Sequence, residues 1–133
     1  MLKERVYTYY IDRDYNCAEA TLRAANDEFG LNLSEDALKV VGGFGGGLGC
    51  ESTCGALCSA MEVISRCAIK GRAHATEGFK ELCANYVKRF EERLGGSCCS
   101  DVKKCYYAGD TRCLKAVEAA ADVLEEYYNE KLK

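Results

Sequence analysis

ATEGFKELCANYVKRFEERLGG, residues 75–96, decides the fold. Phe79, Leu82, Cys83, Tyr86, Phe90 and Leu94 recur at steps of three and four, while Lys and Glu fill the opposite side. That stripe is the face of an amphipathic helix lying on a core. It predicts a helix from about Ala75 to Leu94, stopped by Gly95-Gly96. One such helix cannot bury its face alone, so the flanking sequence must supply partners of the same kind.

It does so in both directions. Upstream, Thr53–Ile69 carries Leu57, Met61 and Ile64 as an apolar line, ended by Lys70-Gly71-Arg72. Further back, Cys17–Phe29 presents Ala18, Leu22, Ala25 and Phe29, with Asn16 as its cap and Gly30 as its stop. Leu2–Ile11 has a short stripe of Leu2, Val6, Tyr9 and Tyr10, followed by a turn at Asp12–Tyr15. Ser34 opens a brief helix, SEDALKVV, whose Glu35 and Asp36 suit a positive helix end. Downstream, a last helix runs from Asp110 with Cys113, Val117, Ala120, Leu124 and Tyr127 inward. SCCSDVKKCYYAG, residues 97–109, reads as a cysteine-rich connector. No segment alternates as a strand, nothing repeats, and proline is absent, which favours uninterrupted helices. The expectation is an all-α, single-domain bundle of five or six helices over residues 1–133, with a glycine-rich loop at 42–49.

Charge narrows the function classes. Eighteen basic and 21 acidic residues leave a net charge of −3 without a basic block, so nucleic acid is not the expected partner. No run approaches the roughly 20 apolar residues that span a bilayer, so no membrane insertion is expected. MLKERVYTYYIDRDYN lacks the apolar run of a secretory signal, and the chain reads as cytoplasmic. Ten cysteines are then the anomaly. In a reducing compartment they point to metal or redox chemistry rather than to a disulfide framework.

GGFGGGLGCESTCGALCSA, residues 42–60, holds the densest chemistry. A P-loop needs a lysine directly after its last glycine, and none follows until Lys70. A dinucleotide fingerprint needs a preceding strand, and a helix precedes these glycines. A bare anion site at Gly46, Gly47 and Gly49 stays open. The cysteines fit no CxxC zinc knuckle, CxxCH haem attachment or ferredoxin spacing. Cys54, however, stands at a helix start, behind Ser52 and Thr53 as caps. Free N–H groups and the helix dipole stabilise a thiolate there, so Cys54 is expected to titrate well below the ordinary thiol value of about 8.5. Cys58 lies one turn on and can face the same way. The glycines read as a flexible approach that leaves little bulk around Cys54. Cys67 and Cys83 read as core filler. His74, the only histidine, reads as the exposed start of the long helix rather than as a base.

Asn16-Cys17-Ala18, the glycine loop, Cys54-Gly55-Ala56, Cys99 after Gly95-Gly96, and Cys113 together resemble the redox family named for its C_GCAxxG_C_C motif. The likeness covers almost the whole chain. It maps the signature cysteines onto Cys17, Cys54, Cys99 and Cys113, with Cys98 competing for the third place and Ser59 standing where the motif has glycine. The resemblance implies a small helical protein with a redox role.

Three functions follow as expectations. The first is thiol/disulfide electron transfer through Cys17, Cys54, Cys99 and Cys113, with Cys54 as nucleophile and Cys58 or Cys99 resolving it. Its counterpart would be a redox partner protein or a small electron donor. The second is a thiolate–metal centre on the same four residues, holding an iron–sulfur cluster or zinc. The third is a non-catalytic interaction module, for which Tyr7, Tyr9, Tyr10, Tyr106, Tyr107, Tyr127 and Tyr128 would supply a docking surface. Homo-oligomerisation stays open.

Overall fold

The computed structural model describes all residues from Met1 to Lys133. It is all-helical: α1 (Leu2–Tyr7), α2 (Cys17–Phe29), α3 (Glu35–Lys39), α4 (Gly55–Ala68), α5 (Phe79–Leu94), α6 (Cys99–Tyr106) and α7 (Leu114–Tyr127). Seven helices replace the expected five or six. The extra one is α6, inside the segment read as a connector. Its buried Cys99 and Val102 and half-buried Tyr106 lie on one short stripe, and cysteine in that stripe hides the pattern. The bounds also move. The long helix starts at Phe79, because Gly78 takes a left-handed conformation at φ 75°. The last starts at Leu114, after a turn at Gly109–Thr111. No helix is long and apolar enough to cross a membrane.

α2 packs on α4, α1 bridges α7 and α2, α5 lies on α4 and α7, and α6 lies on α7. One apolar cluster joins them, with Tyr86, Tyr127 and Phe90 as its largest fully buried side chains. The α2–α4 contact is close because small residues face each other there. Ala18, Gly55, Ala56, Ser59 and Ala60 are all buried. The buried Ser59 hydroxyl donates to the Ala18 carbonyl at 2.6 Å, so a polar atom replaces the motif's glycine without being left unpaired.

Asn16 caps α2 as its sequence suggests. Its side chain accepts from Glu19 N–H at 2.9 Å, while its own N–H donates to the Glu19 carboxylate at 3.1 Å. The Asn16 amide also donates to the Gly42 carbonyl at 3.0 Å. That bond ties the start of α2 to the glycine loop.

Candidate functional site

The glycine loop is packed rather than loose, which corrects its reading as a flexible approach. A Cβ on Gly45 would collide with the Asn16 side chain. One on Gly47 would come within 2.5 Å of Cys99 Cβ and 2.7 Å of the Ser52 nitrogen. Gly46, Gly47, Leu48 and Gly49 all have φ between 63° and 76°, so the chain makes one left-handed turn there. Gly46 and Gly49 face open space. Of these three glycines, Gly47 is the one pressed against a signature cysteine.

Beyond the turn, the chain pairs briefly with the segment before α6. Thr53 and Cys98 form an antiparallel bridge. Cys54 N–H donates to the Ser97 carbonyl at 2.8 Å, and Cys99 N–H to the Ser52 carbonyl at 2.5 Å. This pairing sets the starts of α4 and α6 side by side. It also uses up the residues expected to cap α4: Cys54 itself is the N-cap, and no side chain caps that helix.

All four signature cysteines stand at helix starts. Cys17 is the first residue of α2 and Cys99 of α6, while Cys54 is the N-cap of α4 and Cys113 of α7. Together with Gly55, Ala56, Val102, Lys103, Ala116 and Val117, these cysteines line one cavity. It offers about 30 Å3 of space, enough for water, which needs roughly 10–15 Å3 on the same measure. Its walls hold no carboxylate, and Lys103 is its only charged residue. Gly55 is required by this arrangement, since a Cβ there would stand 2.7 Å from Cys17 Sγ and 2.8 Å from the Phe44 carbonyl oxygen.

Cys98 turns away. Its sulfur lies 3.4 Å from the Glu51 carbonyl and 3.4 Å from the Ser100 hydroxyl. Cys58 does not line the cavity either, although it is near enough to Cys17 for charge there to add to the upward push of burial. Cys50 and Cys105 are exposed, Cys67 and Cys83 half-buried, and His74 is exposed in a turn before α5.

Electrostatics correct the expectation for Cys54. Burial pushes its thiol up to about 12, and the Leu57 and Ala56 N–H groups that point at it only partly oppose this. The helix start is there, but desolvation of the charged form outweighs it. Burial also raises Cys99 and Cys113, and charge on Cys17 adds to both. Lys103 opposes the rise at each, and Arg112 does so at Cys113. Lys103 is held by Glu51 at 3.1 Å and lies 5.3 Å from the Tyr107 ring centre. No group of three or more His, Cys, Asp or Glu side chains is arranged so that it could hold a metal ion.

Cysteines from four helix starts, Cys17, Cys54, Cys99 and Cys113, thus share one cavity, and the stretch of chain that carries them matches a known family. The family model described as "Putative redox-active protein (C_GCAxxG_C_C)" matches residues 15–127. The chain belongs to that family. No curated protein and no solved structure matches it. The family span opens just before Cys17 and closes at Tyr127, so it takes in every cavity residue. It leaves out α1 and the turn after it, where Tyr10 accepts a hydrogen bond from Cys113 N–H at 3.2 Å. Nothing in the sequence points to that contact. The tyrosines read as a docking surface divide: Tyr10 and Tyr127 are buried, Tyr128 stacks on Phe29 with ring centres 3.8 Å apart, and only Tyr7 and Tyr107 are well exposed.

Proposed function

We propose that the protein exchanges electrons with disulfides through the cavity cysteines, with Cys113 as the attacking sulfur. The observation that carries this reading is the convergence of Cys17, Cys54, Cys99 and Cys113 on one cavity. Cys113 is the best placed for attack. It is half-buried at a helix start, and although burial and charge on Cys17 push its thiol up, two cations, Lys103 and Arg112, oppose that rise. Cys54 is the worst placed, being buried and the most strongly held as a thiol.

The chemistry balances as an exchange. The Cys113 thiolate attacks one sulfur of an incoming disulfide, on a partner protein or a small thiol compound, and the other sulfur leaves as a thiolate. Cys17 or Cys99 then attacks Cys113, closing an internal disulfide and releasing the second thiolate. Two cysteine thiols lose two protons and two electrons, and one disulfide becomes two thiols. Cys113 is half-buried rather than buried, so an incoming disulfide would meet it from its solvent-facing side.

A redox titration tests this proposal. In a glutathione buffer, the unsubstituted protein should lose two thiols in one two-electron step. Cys113→Ser should abolish that step, whereas Cys105→Ser should not. A Cys113→Ser protein that still forms the disulfide would remove Cys113 from the role.

The second reading, a metal centre, rests on the same convergence. Sulfur-only ligation by Cys17, Cys54, Cys99 and Cys113 suits zinc or an iron–sulfur cluster. The four side chains would have to rearrange from where they stand, and the metal would have to displace their protons. Anaerobic purification followed by metal analysis and a visible spectrum separates the two: stoichiometric metal bound by these residues would favour the centre over the exchange.

A further inference from the structure

We infer that Tyr10 is a positioning residue for Cys113, its phenol holding the start of α7 and its ring and carbonyl holding the Arg112 corner that turns Cys113 onto the cavity. The inference rests on the reading of Cys113 as the attacking sulfur.

The corner before α7 is strained. Arg112 has φ 53° and ψ −123°, a backbone region in which glycine is at home and a branched or long side chain is not. Such a conformation persists only where its surroundings hold it. Here the holding groups are identifiable. The Arg112 guanidinium lies 4.4 Å from the centre of the Tyr10 ring and donates to the Tyr10 carbonyl at 3.2 Å. The Arg112 carbonyl accepts from Ala108 N–H at 2.9 Å. The next residue, Cys113, gives its N–H to the Tyr10 hydroxyl at 3.2 Å. No side chain within α7 caps that helix, so the phenol takes over one of the donors that a helix start leaves free.

Tyr10 is itself fixed, being only 4% exposed within the turn that continues α1. Burial raises its phenol, while the Cys113 N–H and the Arg112 guanidinium oppose that rise. The contact spans 103 residues of sequence. It therefore couples the position of α1 to the direction of a cavity cysteine.

Tyr10→Phe tests the inference because it keeps the ring under Arg112 and removes only the oxygen that accepts from Cys113. The full, reduced protein is treated at one pH with a small aromatic disulfide. Mass spectrometry gives the rate at which Cys113 loses its thiol, to a mixed or an internal disulfide, relative to the exposed Cys105 of the same molecule. The substitution should lower that ratio by about 3- to 10-fold, the worth of one hydrogen bond, with the helical circular-dichroism spectrum of the unsubstituted protein retained at the temperature of the assay. A ratio within about twofold of the unsubstituted value would overturn the inference. The reading of Cys113 as attacking sulfur fails separately, if Cys113 of the unsubstituted protein enters neither a mixed disulfide nor an internal one.

Discussion

At Cys54, two backbone N–H groups point at the sulfur and yet its proton is held tightly. The helix start acts over one turn, whereas the apolar wall around an 8% exposed side chain removes water on every side. A consequence for stability follows with a definite sign. The folded thiol titrates near 12, and the unfolded one at about 8.5. Below the unfolded value the contribution is fully present. Between the two values the unfolded chain has lost a proton that the folded chain keeps, so stability falls as pH rises, by about 1.4 kcal/mol per pH unit. Thermal melts of the reduced protein should show midpoints that decline above about pH 8.5, and Cys54→Ala should flatten that decline. Equal slopes for both proteins would refute the assignment. Native alkylation followed by mass spectrometry gives a second check at this scale: Cys50 and Cys105, both exposed, should react early and Cys54 last. The helix start at Cys54 is legible in sequence. Its burial is not, because desolvation depends on α5, α6 and α7 closing over it.

At the scale of elements, glycines set how closely the helices and the loop approach. Gly55 is the first residue of α4, where alanine is the better helix former. Gly55→Ala should nevertheless destabilise, by about 1–3 kcal/mol from overpacking, because Cys17 Sγ and the Phe44 carbonyl occupy the space. It should also change the alkylation rate of Cys17. Gly46→Ala meets nothing within 4 Å but must adopt φ 64°, so it should cost about 1–2 kcal/mol of backbone strain while leaving Cys17 reactivity unchanged. Melting curves and Cys17 labelling of the two variants decide the matter, and a shift of Cys17 in both would argue against a specific contact. Five of the helices can be read from their apolar period, and α3 from its Ser34 cap and acidic first turn. α6 cannot, because Cys99 and Cys105 in an eight-residue element read as chemistry and its partners are far away in sequence. The left-handed turn at 46–49 hides for a different reason: a glycine-rich run is compatible with a loose loop and with a tight one, and the Asn16 and Cys99 side chains decide between them.

For the whole molecule, the sequence offers four candidate cysteines and the tertiary structure supplies their meeting. Cys17, Cys54, Cys99 and Cys113 come from four helices, and only the packing of α2 on α4, the Thr53–Cys98 bridge and the seating of α6 on α7 bring them to one cavity. Cys98 and Cys99 are indistinguishable as letters and separate in space, one bonded to Glu51 and the other on the cavity wall. Tyr10 lies wholly outside what a motif can display, since its contact to Cys113 crosses the bundle. The central claim is that these four cysteines form one redox unit and the other six do not take part. Mapping the disulfides formed when the native, reduced protein is oxidised by one equivalent of a two-electron oxidant tests it most directly. A bridge joining two of Cys17, Cys54, Cys99 and Cys113 is expected, with Cys113 in the dominant species. A first bridge made by Cys50, Cys58, Cys67, Cys83, Cys98 or Cys105 would contradict it.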